Sequence, residues 1–436
     1  MLETKCRVNV PLAESVKMKY IFAMSFLIPA LFQACSALSV TEEFSRFNSI
    51  TRTPYVNQTL SAIYSADAEL STLQMIRKAG YPAEGHVIET EDGYLLTLHR
   101  IPQKIGSRSV LLQHGLLGSS ADWVIPGSGK SLAYILADYG YDVWLGNFRG
   151  NTYSRGHVSL STSDSEFWNF SWHEMGVYDV SAMISYIVNL KKDYLDAYIG
   201  HSMGTTTFYT FAIERPHMAK MVGMMHSLAP VAFLSHLKSP VRFLAPFAND
   251  YKAIADFLGE DEFLPQNSLI KLLAKYGCEI ETWEEKVCAN VLFAICGFDK
   301  AQFNYTLLPL ILNHTPAGTS TKTLVHYGQE IKSGSFRHYD YGVEKNIEVY
   351  NQTTPPDYDL TKIMVPITLF YSDNDWLASP IDVMTLSKKL QHKIDVYKVP
   401  FPKFNHLDFL WGVDAPKLVY KRLLHTMKSF KRTLKT

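Results

Sequence analysis

Ser202 lies in Gly200-His201-Ser202-Met203-Gly204, a G-x-S-x-G motif between an apolar run that reads as a strand, Ala197–Ile199, and a stretch that reads as a helix, Thr205–Arg215, stopped by Pro216. A serine on such a tight turn is held in a strained backbone conformation, with its hydroxyl presented at a helix N-terminus above a sheet. Gly200 and Gly204 let the neighbouring backbone come close. The chemistry open to that hydroxyl is attack on an acyl carbonyl.

A serine nucleophile needs a base and an acid that orients it, and in sheets of this kind the chain order is Ser, then Asp or Glu, then His. Of the histidines after Ser202, His406 stands out. It lies in Pro400-Phe401-Pro402-Lys403-Phe404-Asn405-His406, a loop that follows the last predicted strand. His392 precedes that strand, and His425 falls in a closing helix. The acid should follow the preceding strand, Pro366–Tyr371, where Asp373 and Asp375 both stand in the loop. Asp373 is nearer the strand and Asp375 further out, and spacing does not choose between them.

The tetrahedral oxyanion needs two backbone N–H donors. One should come from Met203, the residue after the nucleophile, and its side chain would then be free to vary. The other should come from Leu116 in His114-Gly115-Leu116-Leu117-Gly118, directly after the strand Val110–Gln113. Gly127-Ser128-Gly129-Lys130-Ser131 imitates the end of a phosphate loop, but Val124 stands where that pattern needs glycine. His173-Glu174 lacks a histidine at 177, so zinc-ligand spacing is absent. No cofactor or metal is called for.

The elements that must position these residues can be read as well. Val110–Gln113, Tyr141–Leu145, Ala197–Ile199, Met221–Leu228, Pro366–Tyr371 and Ile394–Val399 are short apolar runs separated by helical stretches, the pattern of a mainly parallel sheet. Before them, Asp92-Gly93 between His86–Thr90 and Tyr94–Arg100 predicts a hairpin, preceded by a helix near Ala68–Ala79. The alternation fails from Leu234 to Leu360, which reads as helices and loops and includes an amphipathic stretch at Ser268–Lys275. The expected organisation is one α/β core, residues 38–234 and 361–436, interrupted by a helical insertion at 235–360. Lys417–Thr436 reads as a basic amphipathic helix closing the sheet.

The 436 residues carry 42 Lys+Arg and 42 Asp+Glu, and this balance argues against a nucleic-acid partner. Hydrophobic residues at 47% and charged residues at 19% describe a globular chain. Lys17 and Lys19, the apolar run Tyr20–Phe32 and the small residues Ala34–Ala37 have the order of a secretory signal, with cleavage expected after Ala37 and a start possible at Met18. No later run is long and apolar enough to span a bilayer. Export makes the sequons at Asn57, Asn169, Asn304, Asn313 and Asn351 readable as glycosylation acceptors. Cys278 and Cys288 close a short loop and are the expected disulfide; Cys296 then remains as a buried free thiol.

Several blocks resemble the acid lipase family of animals and other eukaryotes, which includes gastric and lysosomal acid lipases. They are Gly80–Tyr94, Gln113–Leu117, Leu145–Ser154, Gly200–Gly204, Ile295–Asp299, Asp375–Ala378 and Asn405–Phe409, in this order over nearly the whole mature chain. The resemblance implies an α/β-hydrolase fold with a cap and lid inserted between sheet strands, matching the insertion read above, with the lid at Leu264–Tyr276. It favours Asp375 as the acid, because the family places that acid immediately before a Trp-Leu-Ala or similar segment. It also implies the Cys278–Cys288 pairing. Most members carry glutamine where this chain has Met203. The function it implies is a secreted or lysosomal serine hydrolase of lipid esters, triacylglycerols first, acting at a lipid–water interface. Sterol esters or small esters are the alternative substrates, and a non-catalytic lipid carrier is the reading from another class.

Overall fold

The computed structural model describes residues 69–247, 261–264 and 292–430. The segment expected as a signal, Asn57, the pair Cys278 and Cys288, and the lid stretch beyond Leu264 lie outside the described residues.

The chain enters through helix α1 (Thr72–Lys78), shorter than the expected Ala68–Ala79 because Ser71 caps it. Ser71 Oγ accepts from Gln74 N–H and the Gln74 side chain returns to Ser71 N–H, a complete capping box. The hairpin follows as β1 (Glu84–Glu89) and β2 (Tyr94–Ile101), paired antiparallel. Gly93 takes φ 90° at its turn, a conformation that Asp-Gly supplies at little cost. Then come β3 (Ser109–Gln113), α2 (Leu132–Asp138), β4 (Asp142–Leu145), the two-residue β5 (Gly156–His157), α3 (Ser181–Lys191), β6 (Leu195–His201), α4 (Met203–Glu214) and β7 (Val222–Leu228).

After β7 the described chain leaves the sheet. It carries β8 (Glu262–Phe263), which pairs with β9 (Thr319–Ser320), and the helices α5 (Leu308–His314), α6 (Thr321–Ser333) and α7 (Val343–Tyr350). The sheet resumes with β10 (Ile367–Tyr371), α8 (Pro380–Lys389) and β11 (Lys393–Lys398). The closing helix expected to reach Thr436 is in two parts, a π-turn at Pro416–Tyr420 and α9 (Lys421–Ser429). Its inner side is Leu423, Leu424 and Met427, all buried.

The main sheet runs β1-β2-β4-β3-β6-β7-β10-β11, with β5 on β2. From β4 to β11 every neighbouring pair is parallel. Every residue of β3, β4 and β7 is buried, as expected of strands covered on both faces, and this is why they read as unbroken apolar runs. Arg149, the one deeply buried arginine among the described residues, is neutralised from two sides: its Nε donates to Asp179 at 2.7 Å and its Nη1 to Asp92 at 2.6 Å. It ties the hairpin turn to the helical layer, and a buried guanidinium survives only with such partners.

Parallel pairing decides where the site lies. Gln113 is level with Gly200, His201 with Leu228, Leu228 with Phe370, and Tyr371 with Lys398. The loops after β3, β6, β10 and β11 therefore leave from one edge of the sheet, and they carry Leu116, Ser202, Asp375 and His406.

Candidate active site

Ser202 joins β6 to α4 with φ 53° and ψ −119°, the strained turn expected of a nucleophile elbow. The turn is pinned on both sides. Ser202 N–H donates to Leu228 O at 3.0 Å, and Ser202 O accepts from Thr205 N–H at 2.8 Å and from the Thr205 hydroxyl at 2.6 Å. A Cβ on Gly204 would stand 2.5 Å from Gln113 O, so glycine is required where the elbow crosses the end of β3. The helix starts at Met203 rather than at Thr205, because the positive φ of Ser202 turns the chain straight into it.

His406 lies in the turn between β11 and the short helix Asp408–Trp411 and is 2% exposed. Its Nδ1–H donates to Asp375, at 2.8 Å to Oδ2 and 3.0 Å to Oδ1. A carboxylate only accepts, so Nδ1 carries a proton in this contact. Nε2 is buried and has no partner among the described residues. The hydrogen bond from a catalytic serine to its base commonly tightens only when substrate arrives.

The two candidate acids are now distinct. Asp375 is fully buried, and its Oδ1 also accepts Leu377 N–H at 2.9 Å and Ala378 N–H at 2.7 Å. Three donors hold this carboxyl group, which is aimed at one imidazole nitrogen. Asp373 is half-exposed and pairs with Lys398 Nζ at 2.6 Å. The structure brings Asp375 to His406 and leaves Asp373 on the surface.

The loop after β3 approaches the elbow closely. A Cβ on Gly115 would lie 3.0 Å from Ser202 Cβ. Beneath the loop, buried His114 is kept neutral, its pKa lowered to about 4 by desolvation. Its Nδ1–H donates to Gly115 O at 2.8 Å, and its Nε2 accepts from Phe148 N–H at 3.1 Å. Leu117 takes φ 59°, and Ala317 N–H donates to Leu117 O at 2.7 Å. Leu116 N–H belongs to this loop and Met203 N–H to the first turn of α4. The Met203 side chain is 2% exposed and packs in the core. Replacing it by glutamine would bury an amide. Met203→Pro, at a helix position where proline is tolerated, is expected to keep the fold yet lower kcat by about 10²–10³ through loss of one oxyanion donor. Thermal melting and ester turnover of the same preparation check this, and a folded, fully active variant would place the donor elsewhere.

Sequence reasoning missed several residues around this centre. His201 Nε2–H donates to His406 O at 2.9 Å, and the two rings lie 4.8 Å apart. Burial holds the His201 imidazole well below its ordinary pKa, so it adds no charge beside His406. Asn405 Nδ2–H donates to Gly297 O at 2.9 Å and Asn374 Nδ2–H donates to Phe298 O at 3.1 Å. Cys296, the buried free thiol expected from sequence, lends its carbonyl to Trp376 N–H at 3.3 Å and His406 N–H at 3.4 Å. The only sequence signal for these contacts is adjacency to a motif.

A parallel sheet with a strained serine elbow, and a buried Asp–His pair leaving the same edge, defines an α/β hydrolase. The model of the alpha/beta hydrolase fold matches residues 108–413, and that of a partial alpha/beta-hydrolase lipase region matches 72–127. Lipase 3 of Drosophila melanogaster is 42% identical over 82% of this chain and 92% of its own. Gastric triacylglycerol lipase of Bos taurus is 40% identical over 84% and 93%. Lysosomal acid lipase/cholesteryl ester hydrolase of Homo sapiens is 38% identical over 84% and 92%. The chain belongs to the acid lipase family.

Proposed function

We propose that this chain is a serine lipase that hydrolyses carboxylic ester bonds of neutral lipids, triacylglycerols foremost, through an acyl-enzyme. Ser202 attacks the ester carbonyl while His406 Nε2 takes the hydroxyl proton. Asp375 holds the imidazole by Nδ1 and stabilises its charged form. Leu116 and Met203 N–H groups receive the oxyanion, and His406 returns the proton to the departing alcohol. Water activated by His406 then cleaves the acyl-enzyme. No cofactor enters this sequence. The observation that carries the reading is the buried Asp375–His406 pair beside the Ser202 elbow; the family membership supports it.

The insertion at 235–360 serves in this reading as the cap over the site, with its lid at Leu264–Tyr276 stapled by Cys278 and Cys288. The substrate is met at a lipid–water interface, by a protein that is exported and, in the preferred reading, secreted rather than retained in the lysosome. Among the described residues no helix is long and apolar enough to cross a membrane. Asn169, Asn304 and Asn351 are exposed and Asn313 is half-buried, which supports glycan attachment at the first three more directly.

Hydrolysis of triolein, cholesteryl oleate and a short soluble ester between about pH 4 and 8 tests the substrate assignment. Triolein is expected to be turned over fastest. A preference for cholesteryl oleate would favour the sterol-ester reading, to which the human relative's name points. Turnover of the soluble ester alone would remove the lipase assignment.

A further inference from the structure

Leu145–Ser154 is one of the blocks that stand out in the sequence, yet the catalytic sequence uses none of its side chains. In space it cradles the loop after β3. Asn147 Oδ1 accepts Ser120 N–H at 2.9 Å, and Asn147 Nδ2–H donates to Thr97 O at 2.9 Å. Asn151 Oδ1 accepts Tyr153 N–H at 2.9 Å, which leaves Nδ2 as its donor side. That Nδ2–H group donates to Asn147 Oδ1 at 3.0 Å and to His114 Nε2 at 3.2 Å. Further along, Thr152 N–H donates to Ala317 O at 2.9 Å, backing the Ala317 N–H that holds Leu117 O.

These contacts decide which nitrogen of His114 carries its proton. Nε2 faces two donors, Asn151 Nδ2–H and Phe148 N–H, so it is the unprotonated nitrogen. The proton of the neutral ring is therefore on Nδ1, which donates to Gly115 O at 2.8 Å. Gly115 O also accepts Gly118 N–H at 3.1 Å across the turn. The peptide unit after Gly115 is trans and planar, so its C=O and N–H point opposite ways. A grip on Gly115 O thus sets the direction of the N–H in the same unit, and that N–H belongs to Leu116. We propose that His114, with its tautomer set by Asn151 and Phe148, is a clamp that aims Leu116 N–H at the oxyanion. The proposal rests on the reading of Leu116 N–H as an oxyanion donor. His114 and Asn151 are positioning residues and touch no substrate.

The surroundings make the clamp stiff. His114 and Asn151 are each 2% exposed and Asn147 is fully buried. The Phe148 ring packs edge-on against the imidazole, 5.0 Å between centroids. Water has little access to compete for these donors. A donor fixed in advance needs no reorganisation when charge develops on the substrate oxygen, which is what makes an oxyanion hole effective.

His114→Phe keeps a ring and removes the donor. On a soluble ester it is expected to lower kcat by at least about tenfold, with KM nearly unchanged, because small misplacements of a catalytic group are costly. His114→Asn puts an amide nitrogen where the imidazole Nδ1 stood and should keep kcat within about threefold of the unsubstituted protein. His114→Gln puts its amide nitrogen where Nε2 stood, away from Gly115 O, and should be as slow as His114→Phe. In nitrogen-15 spectra of the histidine-labelled protein, the signals lost in His114→Asn should be those of an Nδ1–H tautomer. Thermal melts confirm that each variant is folded; if His114→Phe does not fold, the asparagine and glutamine variants decide between them. Unchanged kcat in His114→Phe, asparagine no faster than glutamine, a loss confined to KM, or an Nε2–H tautomer would overturn the proposal. Leu116→Pro, which lacks the N–H, is assayed alongside. If it is slowed while His114→Phe is not, only the clamp fails. A folded, fully active Leu116→Pro removes the donor assignment itself.

Discussion

Ser202→Ala and His406→Ala are each expected to lower kcat for ester hydrolysis by about 10⁶, with the protein still folded, since members of such a unit fail together. The reason lies in the geometry. Ser202 is held by its backbone, through Leu228 O and Thr205, so losing its hydroxyl leaves the elbow standing. His406 is anchored by its own N–H and C=O to Cys296 and His201, so losing its imidazole leaves the turn in place. What His406→Ala does remove is the partner of a buried carboxylate, and some loss of thermal stability should accompany the loss of turnover. The double variant should be no slower than either single one. Additive losses in the double variant would show that the two side chains do not act on the same proton.

Asp375→Asn is expected to cost about 10⁴ in kcat, because an amide facing Nδ1 favours the wrong imidazole tautomer. Asp373→Asn, which breaks only a half-exposed pair with Lys398, should leave kcat within about twofold, since surface ion pairs contribute little. Steady-state kinetics of the two variants on one soluble ester settle the choice. A larger loss for Asp373→Asn would contradict the burial argument outright.

The choice between these two aspartates shows where sequence reading stops. Both follow the same strand within a few residues, and spacing along the chain carries no information about burial. Burial and the N–H groups of Leu377 and Ala378 single out Asp375 in space. The frame itself was more legible. Buried parallel strands are unbroken apolar runs, so β3, β4, β6, β7, β10 and β11 could be placed to within a few residues, and Asp92-Gly93 marked the hairpin. Once the order of parallel strands is known, the loops at their carboxyl ends must converge, which is why Leu116, Ser202 and His406 could be placed at one edge of the sheet from sequence. Contacts that join distant segments left no such trace. Asn405 and Gly297 lie 108 positions apart, and nothing periodic links them. The burial of Met203 is another such contact: it packs in the core, and its place beside Ser202 in the chain does not reveal this.

The most direct measurement is stoichiometric reaction with a serine-directed phosphonate, followed by peptide mapping and assay of residual triolein hydrolysis. A single adduct on Ser202 is expected, with activity falling in proportion to labelling and no adduct in His406→Ala on the same timescale. An adduct on another residue, or undiminished triolein hydrolysis when Ser202 is fully labelled, would contradict it.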